Sequence, residues 1–225
     1  MTEQYFAEFL AKYKVKAAVE TGTFYGSGTT TRLWRAARKV APSATITTIE
    51  CNKKYFNDAR TYFAKAGLTT HLQPLLGVTV PKFMLLSLAE IEAQFVRRES
   101  EFGELGAPLD HAPENRVKAY FKESHAPDVE HGVLDKVIQA SSTPIGLFVL
   151  DSAGHLGRVE FHYLLGLALQ FPAKFSRPFC IMLDGTSHCK HLRSLQFVKK
   201  QPGWKVLRES TDRFGWAAVE VMLPA

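Results

Sequence analysis

The chain has 225 residues, 46% of them hydrophobic, and a formal net charge of +6. This size allows one large domain with a substantial core, and no apolar run is long enough to cross a bilayer. Signal-peptide features and CxxC spacings are absent, so we expect reduced cysteines and a cytoplasmic location. The basic residues are spread along the chain, which does not favour nucleic acid as a partner.

Strand-like and helix-like segments alternate along the chain, as is typical of an α/β fold with a parallel sheet. The predicted strands span 17–21, 45–50, 69–75, 145–151, 178–184, 204–209 and 214–223. The predicted helices cover 4–14, 26–34, 52–66, 83–95, 132–140, 156–169 and 187–200. Only a short connection separates the last two strands, so we expect a hairpin and an antiparallel last strand.

The segment between the third and fourth predicted strands is too long for a compact βαβ connection. It mixes charged residues with glycines and prolines, and we interpret about 98–131 as an insertion. Connections of this length are usually lids, extra helices or disordered segments. The pattern leaves open whether the insertion covers a site, forms a contact between two copies of the chain or is unstructured.

The turn after the first strand carries the clearest chemical signal. Glu20 ends the strand, and Gly22, Gly26 and Gly28 follow in the spacing G-x-x-x-G-x-G, while Glu50 ends the second strand. A glycine turn after one strand and an acid after the next is how a doubly wound sheet holds a nucleoside. The turn lacks the dinucleotide spacing G-x-G-x-x-G and the phosphate loop that ends in Gly-Lys-Ser/Thr, and it contains no basic residue. These absences indicate a nucleoside without a pyrophosphate.

In these residues the sequence resembles the class I S-adenosylmethionine (SAM)-dependent methyltransferases, closest to their small-molecule O-methyltransferases. Their first motif, E-x-G-x-x-x-G, is matched by Glu20, Gly22 and Gly26, and their second acid by Glu50. The resemblance implies an α/β, doubly wound, seven-stranded and mostly parallel sheet in the order 3-2-1-4-5-7-6, with the last strand antiparallel. It further implies a single Rossmann-like domain over 1–225 that transfers a methyl group to a small molecule, on a hydroxyl oxygen.

The same resemblance implies how the methyl donor is held. Glu50 should accept hydrogen bonds from the ribose hydroxyls, Glu20 should lie near the aminoacyl tail, and Tyr25 is a candidate to pack near the sulfonium. The family often carries an acid beside the glycine after strand three, but Val78 stands beside Gly77 here, which leaves the adenine contacts open. The expected donor-binding residues are Glu20, Thr21, Gly22, Thr23, Phe24, Tyr25, Gly26, Ser27, Gly28, Glu50, Cys51, Gly77 and Asp151.

Two further acids end strands four and five, and each has a histidine four residues later: Asp151 with His155, and Asp184 with His188. Metal-dependent O-methyltransferases of this superfamily bind a divalent cation with acids at these two positions, so the candidate ligands are Asp151, Asp184 and His188. Gly185 replaces the usual next ligand, and a metal is therefore not the favoured interpretation. Without a metal, a histidine or an aspartate of this set would act as the general base.

Two other functions remain open at this point. A nucleic-acid or protein methyltransferase would suit the net charge and the insertion, although the Asn/Asp-Pro-Pro-Tyr/Phe signature of base methylation is absent after strand four. The third possibility is an inactive binding module with the same fold. The sequence does not determine whether the protein forms a homo-oligomer.

Overall fold

The computed structural model describes residues 1–91, 113–152, 154–187, 190–212 and 214–223. The strands are β1 (Ala17–Thr21), β2 (Thr45–Glu50), β3 (Leu72–Leu76), β4 (Ile145–Leu150), β5 (Phe175–Asp184), β6 (Lys205–Ser210) and β7 (Trp216–Val221). The helices are α1 (Glu3–Lys12), α2 (Thr29–Val40), α3 (Lys53–Lys65), α4 (Pro113–Ser124), α5 (Val133–Ala140), α6 (Gly154–Gln170) and α7 (Leu192–Val198).

The strands form one sheet in the order β3-β2-β1-β4-β5-β7-β6. The pairs from β3 through β5 are parallel, whereas β7 runs antiparallel to both β5 and β6. This topology confirms the predicted fold class, the strand order and the antiparallel last strand. The strand order reverses between β1 and β4, and ligands of open α/β sheets bind beyond the carboxyl ends of the strands at such a point.

The central strands are apolar because helices cover both faces of the sheet. Every residue of β4 is buried, and its side chains alternate between two cores. Phe148 packs with Phe161 of α6 on one face, and Leu147 packs with Phe6 and Leu33 on the other. The sheet is therefore a rigid support that brings the carboxyl ends of β1, β2, β4 and β5 to one edge.

Some predicted boundaries were wrong, and local hydrogen bonds explain one of them and a backbone conformation another. The predicted helix 83–95 is replaced at its start by a 3₁₀ turn, Lys82–Met84, and helical residues begin only after Ser87. The Ser87 hydroxyl accepts from the Glu90 N–H, and the Glu90 carboxylate accepts from the Ser87 N–H, which is a capping box that starts a helix. Strand β3 begins at Leu72 because His71 has a positive φ of 57°.

The insertion predicted at 98–131 is described only from residue 113 onward, where α4 and a loop form. The first part of the insertion, residues 98–112, and the end of the predicted helix 83–95 lie outside the described residues. No helix in the described ranges has the length and hydropathy needed for a membrane span.

Candidate active site

The turn after β1 is shaped by glycines that pack against protein. Gly22 and Gly26 have positive φ values of 78° and 74°. A Cβ on Gly22 would lie 2.5 Å from the carbonyl oxygen of Asp151, and one on Gly26 would lie 2.4 Å from the ring of Phe63. A Cβ on Gly28 would meet nothing within 4 Å. The first two glycines therefore let the turn approach β4 and α3, and only the third faces open space.

Glu50 joins this turn to the end of β2. Its carboxylate is buried, and Oε2 accepts from the Phe24 N–H at 2.7 Å while Oε1 accepts from the Asn52 N–H at 2.8 Å. Burial raises the pKa of Glu50, and both N–H groups work against that rise. A carboxylate offers about four acceptor positions, so capacity remains for a ligand donor. The acid and the glycine turn thus form one cradle.

Glu20 is fully buried behind the same turn. Its Oε2 accepts from the hydroxyls of Thr30 and Thr48, each at 2.6 Å, and Thr48 in turn lies 2.5 Å from the Thr23 hydroxyl. Burial raises the pKa of Glu20 to about 8. Within the described part of the chain, the other oxygen, Oε1, has no hydrogen-bond partner. A buried polar atom of this kind is costly unless a hydrogen-bond partner reaches it.

Aromatic rings line the outer side of the turn. Phe24 is 52% exposed and has a positive φ of 52°, and its ring centroid lies 4.0 Å from that of Tyr25 and 4.7 Å from that of Tyr55. The Lys54 ammonium lies 5.6 Å from the Tyr25 centroid. Ser27 is exposed beside them. The Tyr25 ring therefore already takes part in a cation–π contact.

Cys51 and Gly77 lie on the other side of Glu50. Cys51 is partly buried against the small core around Val78, and burial raises the pKa of its thiol. A Cβ on Gly77 would lie 2.2 Å from a methyl of Val133, so this glycine has a packing role. The described part of the insertion reaches this edge, because Glu123 of α4 accepts from the Asn52 side chain at 2.8 Å.

Asp151 and Asp184 are brought together at the ends of β4 and β5, with Lys190 between them. The Lys190 ammonium lies 2.6 Å from Asp151 Oδ1 and 3.3 Å from Asp184 Oδ2. Burial raises the pKa of Asp151 to about 7 against the effect of Lys190. Burial also acts to raise the pKa of Asp184, but the Lys190 ammonium and the contact with Asp151 lower it. Thr29 additionally donates to Asp151 Oδ2 at 3.2 Å.

Sequence reasoning missed both Lys190 and Glu160. Glu160 of α6 is fully buried and accepts from the hydroxyls of Thr21 at 2.9 Å, Ser152 at 2.6 Å and Thr79. Burial raises its pKa, and the three hydroxyls lower it. The hydroxyl of Thr21, which is also an expected donor-binding residue, points inward to Glu160. A lone acid in the apolar run of α6 was the available signal for this residue.

The histidines predicted as bases have different outcomes. His155 lies buried at the start of α6, close to the acid pair in sequence. His188, the other candidate base and third metal ligand, lies outside the described residues. In the ranges that the structure covers, no group of three or more histidines, cysteines, aspartates and glutamates could hold a metal ion. The acid pair does not fit a divalent cation as it stands, because the Lys190 ammonium bridges it.

No protein-family model matches this sequence, and no curated protein matches it at a significant level. One similar solved structure is the O-methyltransferase TomG from Streptomyces achromogenes, which is involved in tomaymycin synthesis and was crystallised with SAM. Its TM-score is 0.55 at 13% identity, and the match covers 98% of this chain and 79% of TomG. An O-methyltransferase from Bacillus cereus in complex with SAH, the demethylated product of SAM, has a TM-score of 0.54, 12% identity, and coverage of 97% and 80%.

The SAH-bound methyltransferase PaMTH1 from Podospora anserina gives a TM-score of 0.54 at 12% identity, with coverage of 96% of this chain and 76% of that chain. Such low identities carry no information about individual residues. The TM-scores and the coverage establish the fold: this chain is folded like these methyltransferases along nearly its whole length.

Proposed function

We propose that this protein is a SAM-dependent methyltransferase that acts on a hydroxyl oxygen of a small-molecule acceptor. One observation carries the proposal: the Phe24 N–H of the glycine turn donates to the Glu50 carboxylate at 2.7 Å. The acid ending β2 and the turn after β1 are thereby fixed as a single cradle at the point where strand order reverses. The shared fold with SAM- and SAH-bound O-methyltransferases supports the same conclusion.

The residues around the cradle fit an adenosine-bearing donor with a cationic tail. Glu50 would use its remaining acceptor positions for the ribose hydroxyls, and Cys51 would lie toward the adenine. Glu20 Oε1 is buried without a partner among the described residues, and it would form a hydrogen bond with the aminoacyl side of the donor, directly or through water. Tyr25, on the outer side of the turn, would pack near the sulfonium. When bound, SAM would supply an electrophilic methyl group.

We propose that the acceptor hydroxyl binds beside the acid pair Asp151 and Asp184, at the ends of β4 and β5. A carboxyl with a pKa near 7 is suited to accept a proton at neutral pH, and burial gives Asp151 that property. His155 is the alternative base in the described ranges. The main contribution of the chain would be to hold the acceptor oxygen in line with the methyl carbon at near-contact distance.

A small-molecule acceptor is preferred to nucleic acid because the positive charge is not gathered into one tract. A cytoplasmic location is part of the proposal. It agrees with the free thiols of Cys51 and Cys180, and burial raises the pKa of Cys180 to about 12, which keeps that thiol unreactive.

The test is a calorimetric titration with SAH of the wild type, Glu50→Ala and the control Glu209→Ala, whose side chain lies in an exposed ion pair. We expect saturable binding by the wild type and the control. Loss of charge-assisted hydrogen bonds worth about 2 kcal/mol should weaken binding by Glu50→Ala roughly thirtyfold. Circular dichroism checks that the variant is folded.

Absence of SAH binding by the wild type would overturn the proposed function. Unchanged affinity in Glu50→Ala would overturn only the assignment of the ribose contact to this carboxylate, because the glycine turn would still be able to hold the donor.

A further inference from the structure

A lysine ammonium occupies the position between the two carboxylates that metal-dependent relatives would use as ligands. Lys190 Nζ lies 2.6 Å from Asp151 Oδ1 and 3.3 Å from Asp184 Oδ2. The lysine side chain is only 7% exposed, so its charge is compensated by these carboxylates rather than by water. An ammonium and a divalent cation cannot share this position, since both carry positive charge.

The surrounding backbone is built to admit the lysine. A Cβ on Gly157 of α6 would lie 2.8 Å from Lys190 Cγ and 3.1 Å from the Ser152 carbonyl oxygen. Any larger residue at position 157 would therefore push the lysine stem away. On the other side, the N–H of His191 donates to the Gly185 carbonyl at 3.2 Å, which fixes the chain next to the end of β5.

Resting on the proposed function, we propose that Lys190 is a built-in cation that replaces the divalent metal and makes methyl transfer by this protein independent of metal. Lys190 is then a positioning residue: it holds Asp151 and Asp184 side by side at the acceptor position. It also balances their charge, which a metal ion would otherwise have to do. Loss of its charge should leave a carboxylate pair that attracts a hard divalent cation.

The test measures Mn²⁺ binding by the loss of the free-ion signal in electron paramagnetic resonance, using MnCl₂ with and without SAH. The wild type should show no saturable binding at the acid pair. Lys190→Met, which keeps much of the stem but removes the charge, should bind Mn²⁺ at least tenfold more tightly. Lys190→Arg, which keeps a positive charge, should behave like the wild type, as should the control Lys199→Met, which alters an exposed lysine.

Two results would overturn the proposal. One is saturable Mn²⁺ binding by the wild type that Asp184→Asn abolishes. The other is a folded Lys190→Met variant with no gain in Mn²⁺ affinity. If Lys190→Met does not fold, the wild-type titration and its Asp184→Asn control decide the question. SAH calorimetry on the same samples reports the proposed function separately, because a protein that binds no SAH still gives a readable Mn²⁺ titration.

Discussion

Gly22 and Asp151 approach each other so closely that their backbones exclude any side chain between them. A Cβ on Gly22 would lie 2.5 Å from the Asp151 carbonyl oxygen and 2.8 Å from the Ser152 nitrogen, and the φ of Gly22 is 78°. This contact joins the end of β1 to the end of β4. It also places the glycine turn, which we assign to the methyl donor, directly beside the acid pair, which we assign to the acceptor.

Replacing Gly22 should damage both stability and donor binding. In Gly22→Ala the strained φ and the clash with β4 act together, so we expect a loss of about 2–4 kcal/mol in the free energy of unfolding and weaker SAH binding. Urea denaturation and calorimetry measure the two effects. Gly166→Ala is the matched control: its site in α6 is open, and alanine there should be neutral or slightly stabilising. Equal stability of Gly22→Ala and Gly166→Ala would contradict the close approach of Gly22 to the Asp151 backbone.

Glu20 should make stability depend on pH. Burial raises its pKa from 4.5 to about 8, so between these values the folded state holds a proton that the unfolded state releases. Stability should therefore fall as the pH rises from about 5 to 8 and level off above that range. Between pH 6 and 8 the fall attributable to Glu20 is roughly 2 kcal/mol. Chemical denaturation at a series of pH values should show a flatter dependence of stability on pH for Glu20→Gln than for the wild type. Parallel profiles of stability against pH would show that the pKa of Glu20 is not raised by burial.

The fold was predictable because its strongest sequence signals are local. The continuous apolar run that forms β4 and the short hairpin connection before β7 determine elements and direction without reference to distant residues. The strand order came from the family resemblance. The start of the predicted helix 83–95 was wrong because two local hydrogen bonds, those of the Ser87 and Glu90 capping box, decide it.

The site was predictable only in outline. Acids that end parallel strands meet at one edge of the sheet, so placing Glu20, Glu50, Asp151 and Asp184 at the carboxyl ends of their strands followed from the pattern. Lys190 reaches the acid pair from a loop six residues beyond Asp184, and no periodicity indicates such a contact. The glycine spacing also did not reveal that Gly22 and Gly26 are required by neighbouring protein atoms.

Glu160 should be a structural centre of the site. Glu160→Ala leaves the hydroxyls of Thr21, Thr79 and Ser152 without their acceptor and opens a cavity, so we expect a loss of roughly 2–4 kcal/mol in the free energy of unfolding. Thr79→Val, which removes one of the three bonds, should cost about 1 kcal/mol. The double variant should lose less than the sum of the two, because the groups share one network. Additive losses in urea denaturation would show that Glu160 and Thr79 act independently.

Asp184 should affect turnover without affecting donor binding. Its carboxylate pairs with Lys190 at 3.3 Å and has no described hydrogen bond to the glycine turn or to Glu50. Asp184→Ala removes half of the acid pair at the acceptor position, so methyl transfer should fall at least about a hundredfold, while the Kd for SAH should stay within about threefold. Transfer of label from methyl-labelled SAM to a panel of phenols and alcohols measures turnover. Calorimetry measures the Kd for SAH. Glu209→Ala, which alters an exposed ion pair with Lys199, is the control. Wild-type turnover by Asp184→Ala would remove this carboxylate from the acceptor site.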